Sequence, residues 1–405
     1  MKTIVRRLMH GSIKNNCQVL SQHQGEKMVS GKTYWDELPN ELLAEWIVSE
    51  HFERFEDSTL AEIAEAYIGV YSTRPTSWLA VLARNRSIDR TEVLSMETDP
   101  ALVRIPGMRR SKFLLPQSLA ATVFGVTRLS LADHEWRLRD VKLTLADYRR
   151  ILPSLTELTT GSPVRLKDIG DALGLSGPQT RACTTVATYD GALIRIPSSN
   201  PWSNRWLYTA APNGLLQSDD TPIDRERLQL DIARRYIQNY GPVSVDDLAW
   251  WMAISKKTAR LLLERAGAYE IGSGIWLSAN QKDKFEEFVL HAGQHSATGV
   301  RFLPAWDPLL MGYAPGSRQR DCLGLNQIGG YDAAGNGRPV VLIGSRAVTT
   351  WRIMRSGSKR LISLDLSSFV GKERKDLQES VLTWANQIGA IYDHETNGEE
   401  PTTGE

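Results

Sequence analysis

Helices followed by a β-hairpin recur three times along this chain, and that recurrence limits what it can fold into. The third copy, Arg225 to Ser278, is the clearest. Arg225-Glu226-Arg227-Leu228 starts a helix in which Ala233, Tyr236, Ile237 and Tyr240 recur at the spacing of one helix face. Gly241-Pro242 ends it. Ser244, with Asp247 three residues on, caps a second helix whose buried face is Leu248, Trp251 and Met252. Ser255 caps a third, with Ala259, Leu262, Leu263 and Ala266 on one side and Lys256, Lys257 and Arg260 away from them. Tyr269-Glu270-Ile271 and Ile275-Trp276-Leu277 then flank Gly272-Ser273-Gly274 as a hairpin. This is the element order of a winged helix-turn-helix, where the third helix enters the DNA major groove and basic side chains neutralise phosphates. Three helices with an unrelated hairpin are the alternative.

The first copy runs from about Tyr34. Leu43, Trp46 and Ile47 mark one helix. Ser58 or Thr59 caps another, with Leu60, Ile63, Ala64 and Tyr67 on its face; Trp78, Leu79 and Leu82 suggest a third, and a shorter helix covers Arg90 to Met96. Leu102 to Ile105 and Lys112 to Leu115 flank a hairpin tip made basic by Arg109 and Arg110. In the second copy Tyr148, Ile151, Leu152 and Leu155 share a face, as do Leu166, Ile169 and Leu173 before Gly174. Ser176 and Pro178 start a helix carrying Arg181, and Leu193 to Ile196 pairs with Arg205 to Tyr208 across a polar loop through Trp202. The hairpin tips fall roughly 70 to 90 residues apart. After about residue 298 the chain changes character: Val340 to Trp351 forms a hairpin, Leu361 to Leu366 a strand, and Leu377, Val381, Trp384 and Ile388 one helix face.

The expected fold class is therefore α+β, with three tandem winged helix-turn-helix units at 34–125, 140–212 and 224–280 and a small C-terminal β-rich domain at 298–392. Residues 1–33 are read as a disordered extension or a start codon set too early, with Met28 the true start; a targeting peptide is the alternative. The acidic tail at 393–405 is read as disordered. A length of 405 residues suits two to four domains. The net charge of +1 gives no global pull toward a polyanion, so nucleic-acid binding has to rest on local patches.

Cys17, Cys183 and Cys322 are too scattered for a disulfide framework or a zinc site. His291 and His295 stand four apart, but no other ligand is near and Gly293 weakens the helix between them, so no metal is expected. Asp307 either serves a site or caps a turn before Pro308. His134-Glu135 is expected at the surface. No run is long enough to span a membrane.

Four stretches stand in one order over roughly residues 40–390. They are Gly107-Met108-Arg109-Arg110 before an apolar strand; Tyr240-Gly241-Pro242 leading to Leu248-Ala249-Trp250-Trp251; Leu303-Pro304-Ala305-Trp306-Asp307-Pro308-Leu309-Leu310-Met311-Gly312-Tyr313; and Gly337-Arg338-Pro339-Val340-Val341 leading to Thr350-Trp351-Arg352. In these the chain resembles the bacterial AlkZ-like DNA glycosylases, a family that excises alkylated bases and unhooks interstrand crosslinks. The resemblance implies three winged helices forming a concave basic surface, plus a C-terminal β domain. Characterised members carry Gln-any-Gln or Gln-any-Asp in the loop of the first unit, and another branch has His-any-Thr. Here Tyr71-Ser72-Thr73 takes that place, keeping the Thr and putting Tyr71 for the His.

That substitution bears on chemistry. Breaking an N-glycosidic bond builds positive charge on the sugar, which a carboxylate or amide stabilises while it positions water. Thr73 positions water but is a poor base; Tyr71 offers a hydroxyl and a stacking face. An N7-alkylated purine, already cationic, needs less help to leave. One expected function is a monofunctional glycosylase for alkylated or crosslinked purines, with Tyr71 and Thr73 at the reacting sugar and no metal or organic cofactor. The alternative is a duplex-DNA-binding protein without chemistry, a damage sensor or transcription regulator; a protein-interaction scaffold is a third. The expected DNA contacts are Arg109, Arg110, Lys112, Arg181, Arg205, Lys256, Lys257 and Arg260. Double-stranded DNA is the expected partner of a monomer in the bacterial cytoplasm, associated with the nucleoid.

Overall fold

The computed structural model describes residues 34–85, 87–212, 215–216, 224–292 and 297–393. The extension at 1–33, the tail from 394 on, and His295 lie outside them.

Helices begin where side chains satisfy their free N–H groups. Thr59, of the two caps considered, accepts from the Glu62 N–H at 3.3 Å, while the Glu62 carboxylate accepts from the Thr59 N–H at 2.7 Å. Thr144 with Asp147 and Ser244 with Asp247 repeat this exchange. These pairs open the helices Leu60–Ala66, Leu145–Thr159 and Val245–Met252. Ser176 and Gln179 open Gly177–Asp190, with Pro178 in its first turn.

The architecture is mixed α+β, and one topology repeats. A helix leads into a two-residue strand, two helices follow, and a hairpin returns. The short strands are Val70–Tyr71, Val164–Arg165 and Val243–Ser244. Each pairs antiparallel with the second strand of its hairpin: Tyr71 opposite Phe113, Arg165 opposite Leu207, Ser244 opposite Ile275. The hairpin strands are Leu102–Pro106 with Lys112–Pro116, Leu193–Pro197 with Trp206–Ala210, and Tyr269–Gly272 with Ile275–Leu277. All three sheets thus have the same strand order. The C-terminal part is a five-stranded sheet; its last strand, Ile391–Tyr392, returns parallel to Lys359–Leu364 after the helix Gly371–Ile388.

Packing groups these pieces differently from the sequence boundaries. Buried side chains of the first and third units and of the C-terminal sheet form one continuous core. The second unit keeps its own, around Leu138, Tyr148, Ile169, Val186 and Tyr208. Polar contacts inside the shared core tie distant segments together: Trp46 Nε1 donates to the Gly241 carbonyl at 3.0 Å, and the Tyr313 hydroxyl to the Tyr240 carbonyl at 3.0 Å. Asp307 is fully buried; it caps the turn Pro308–Met311 and forms a two-pronged ion pair with buried Arg84. It is a structural carboxylate.

Gly312 shows how tightly this region closes. A Cβ there would lie 2.4 Å from the ring of Tyr240, which is itself buried. Gly312→Ala is expected to cost about 1–3 kcal/mol, seen as a lower urea midpoint at unchanged slope.

Among the described residues, no helix is long and apolar enough to cross a membrane.

Candidate functional site

A cleft of about 1540 Å³ lies between the second unit and the C-terminal sheet. Its wall on one side comes from Arg165, Leu166 and Lys167 where a short strand runs into a helix, from Arg181 and Thr185, one turn apart on a helix, and from the hairpin carrying Arg195 and Arg205. On the other side stand Trp351, Ile353 and Arg355, alternate residues of one strand, with Arg360 of the next. The loops Arg74–Thr76 and Pro304–Trp306 close the gap.

Among the described residues the lining has no Asp or Glu. Arg74 is neutralised by buried Glu97 at 2.5 Å, which Arg104 also contacts at 2.7 Å. Burial alone would raise the Glu97 pKa, and the two guanidiniums outweigh it, so its carboxyl titrates below the usual range. The other seven cations, Arg165, Lys167, Arg181, Arg195, Arg205, Arg355 and Arg360, have no carboxylate within ion-pair distance among the described residues. Arg355 and Arg360 are direct cross-strand partners. Like charges so placed destabilise a sheet unless an anion lies over them. A cleft of one sign with low-dielectric walls focuses its field outward. Aromatic side chains stand between the cations: Trp202, edge-on to Trp78 at 4.9 Å, and half-buried Trp306, held at a left-handed φ of 56°.

The cleft brings together only part of the expected site. Arg181 and Arg205 line it, both exposed; Lys256, Lys257 and Arg260 are exposed elsewhere, and Lys256 pairs with Asp246 at 2.8 Å. At the first hairpin tip Arg110 is exposed, but Arg109 lies 3.9 Å over the ring of Trp250, and the Lys112 ammonium donates to the Tyr189 hydroxyl at 2.6 Å. Arg109 is thus covered by a ring of the chain itself, and Lys112 gives one of its three N–H donors to Tyr189. Tyr71 is buried against Phe113, ring centres 4.6 Å apart; burial raises its pKa, against the opposing effect of the nearby Arg109 and Ser111 side chains. Thr73 is half-buried and directly precedes the three loop residues that line the cleft.

The sequence reading passed over Arg165, Lys167, Arg195, Arg355 and Arg360. The last two flank Gly357 at a hairpin turn, a basic-tip pattern present in the sequence. His134, expected at the surface, is 3 % exposed, because it stacks on Tyr189, a residue far along the chain.

The model of one protein family, described as DNA glycosylase AlkZ-like, matches residues 65–386. The chain belongs to this family. The resemblance read from the four sequence stretches is thereby borne out. Among solved structures the chain is similar to the Streptomyces sahachiroi DNA glycosylase AlkZ, with a TM-score of 0.62 and 17% identity, covering 87% of this chain and 98% of that one. At that identity the likeness is one of fold. No curated protein matches. Membership of the AlkZ-like family supports a DNA glycosylase role in DNA repair, with DNA as the partner.

Proposed function

We propose that this AlkZ-like chain seats duplex DNA in the acid-free cleft and excises alkylated or crosslinked purines there. The observation that carries the reading is the set of seven unpaired cations around a cleft bordered by the loop that follows Thr73. Three tandem winged helices account for the repeated topology, with Arg181 on the second helix after the short strand of its unit. Phosphates bind the cations and release counterions, so affinity falls steeply with salt. Excision breaks the bond between C1′ and the purine N9, whose electron pair leaves with the base; water adds at C1′ and gives up a proton to solvent, and the departing N7-alkylpurine carries no net charge. Thr73 holds that water. Tyr71, its ring packed on Phe113, orders the loop. The protein acts as a monomer in the bacterial cytoplasm and needs no metal or organic cofactor.

Release of N7-methylguanine from duplex DNA tests this. The expected result is measurable release by the wild type, lowered about tenfold or more in Thr73→Ala, with DNA affinity retained. A second reading, duplex-DNA binding without chemistry, is favoured by the lack of any Asp, Glu or Gln in the cleft lining among the described residues. Salt-sensitive DNA binding with no release of any alkylated purine would establish that reading instead.

A further inference from the structure

Basic side chains also gather where the first hairpin meets the second unit, around the ring of Tyr189. The Lys112 ammonium sits 4.0 Å from the ring centre. His134 stacks on the ring, centres 4.9 Å apart and planes 24° apart. The Arg137 guanidinium carbon lies 5.7 Å from the ring centre. The Tyr189 hydroxyl donates to the Arg110 carbonyl at 2.7 Å, which pins the first hairpin tip against this cluster. Arg195, on the wall of the cleft, is close enough for its charge to act on both Lys112 and Tyr189.

The carboxylate that acts on His134, that of Asp133, is used at a helix start, accepting from the Ser130 N–H at 3.0 Å and hydroxyl at 2.8 Å. Several buried nitrogens have nothing to bind: His134 Nε2, Arg137 Nε and Arg195 Nε lack a hydrogen-bond partner among the described residues; the two guanidinium nitrogens are donors, and the ring nitrogen is one when the imidazole is protonated. Buried donors left unpaired and like charges held together are both costly, and one group relieves both: an anion with several acceptor oxygens. The electrostatics agree. Burial, then Arg195 and Arg137, bring the Lys112 pKa down to about 7, and burial, then Arg137, lower that of His134. An anion in their midst reverses both shifts.

We infer that Arg110, Lys112, His134, Arg137 and Arg195 form a receiving site for a phosphoryl group at the rim of the cleft. Its occupant is a backbone phosphate of bound DNA, an assignment that rests on the reading of the cleft as a DNA seat; the shared chemistry also admits free phosphate.

The test uses the full chain with labelled histidine, titrated first with inorganic phosphate and then with duplex DNA, chloride at equal ionic strength being the control. The His134 signal is identified by its loss in His134→Gln. Phosphate is expected to move that signal and raise the His134 pKa by about one unit, and Arg137→Gln to weaken phosphate binding about tenfold or more. Arg110→Gln, at an exposed position, is expected to act in the same direction with the fold intact. Duplex DNA is expected to move the same signal, and the slope of log affinity against log salt to fall by about 0.9 in Arg137→Gln. A phosphate response with an unchanged DNA slope keeps the site and overturns DNA as its occupant. Failure of the wild type to bind DNA sinks the reading of the cleft and leaves the phosphate titration to decide the site alone. A His134 signal indifferent to phosphate, with equal slopes in wild type and variants, overturns the inference.

Discussion

Asp307→Ala is expected to lose about 3–5 kcal/mol of folding stability, the cost of stranding a buried charge. Arg84 and Asp307 are both fully buried and joined by bonds of 2.8 and 2.9 Å. Arg84 has two further acceptors, the Ala80 carbonyl at 2.9 Å and the Tyr67 hydroxyl at 3.2 Å. Neither replaces a carboxylate, so truncation leaves the guanidinium without its counter-charge in the shared core. The Leu309 N–H loses its cap as well. Urea unfolding reads the loss as a shift of midpoint. Replacing both partners at once, Arg84→Met with Asp307→Leu, is expected to cost less than Asp307→Ala alone, since no charge is then left behind. A double variant as unstable as the single one would show that packing, rather than the stranded charge, sets the loss.

The second large effect concerns binding. Arg355→Ala with Arg360→Ala is expected to weaken duplex-DNA affinity about 100-fold at low salt and to reduce the salt slope by about two. The same variant is expected to be slightly more stable than the wild type, by about 0.2–1 kcal/mol, because the two arginines oppose each other across neighbouring strands. Binding and stability thus move in opposite directions, which a variant that merely damages the sheet does not do. Unchanged affinity and slope would remove the cleft as the seat for DNA.

The repeated framework was legible in the sequence because its signals are local. Ser244 with Asp247, Ser176 with Pro178 and the stop at Gly241 each lie within a turn of the helix end they define. The functional surface was less legible because it is assembled from residues between 74 and 360. A basic hairpin tip was read as exposed, yet Arg109 and Lys112 found aromatic partners in the third and second units, Trp250 and Tyr189. His134 went inside for the same reason, its stacking partner being invisible to local pattern. Asp307 was open between a site and a cap until the position of Arg84 decided it. The C-terminal sheet was visible strand by strand, whereas its sharing of a core with the first and third units depends on contacts no periodicity encodes.

The two-residue strands also bear on how this chain behaves in a crowded solution. An exposed strand edge is a template on which another chain can pair and begin an aggregate. One edge of each small sheet here is Val70–Tyr71, Val164–Arg165 or Val243–Ser244, too short to hold a foreign strand in register. The opposite edges of the first two sheets end in Pro106 and Pro197, which have no N–H to offer, and that of the third ends at Gly272. Repetition of one small sheet, rather than its extension into a large one, thereby lets the protein present a broad surface without a long sticky border.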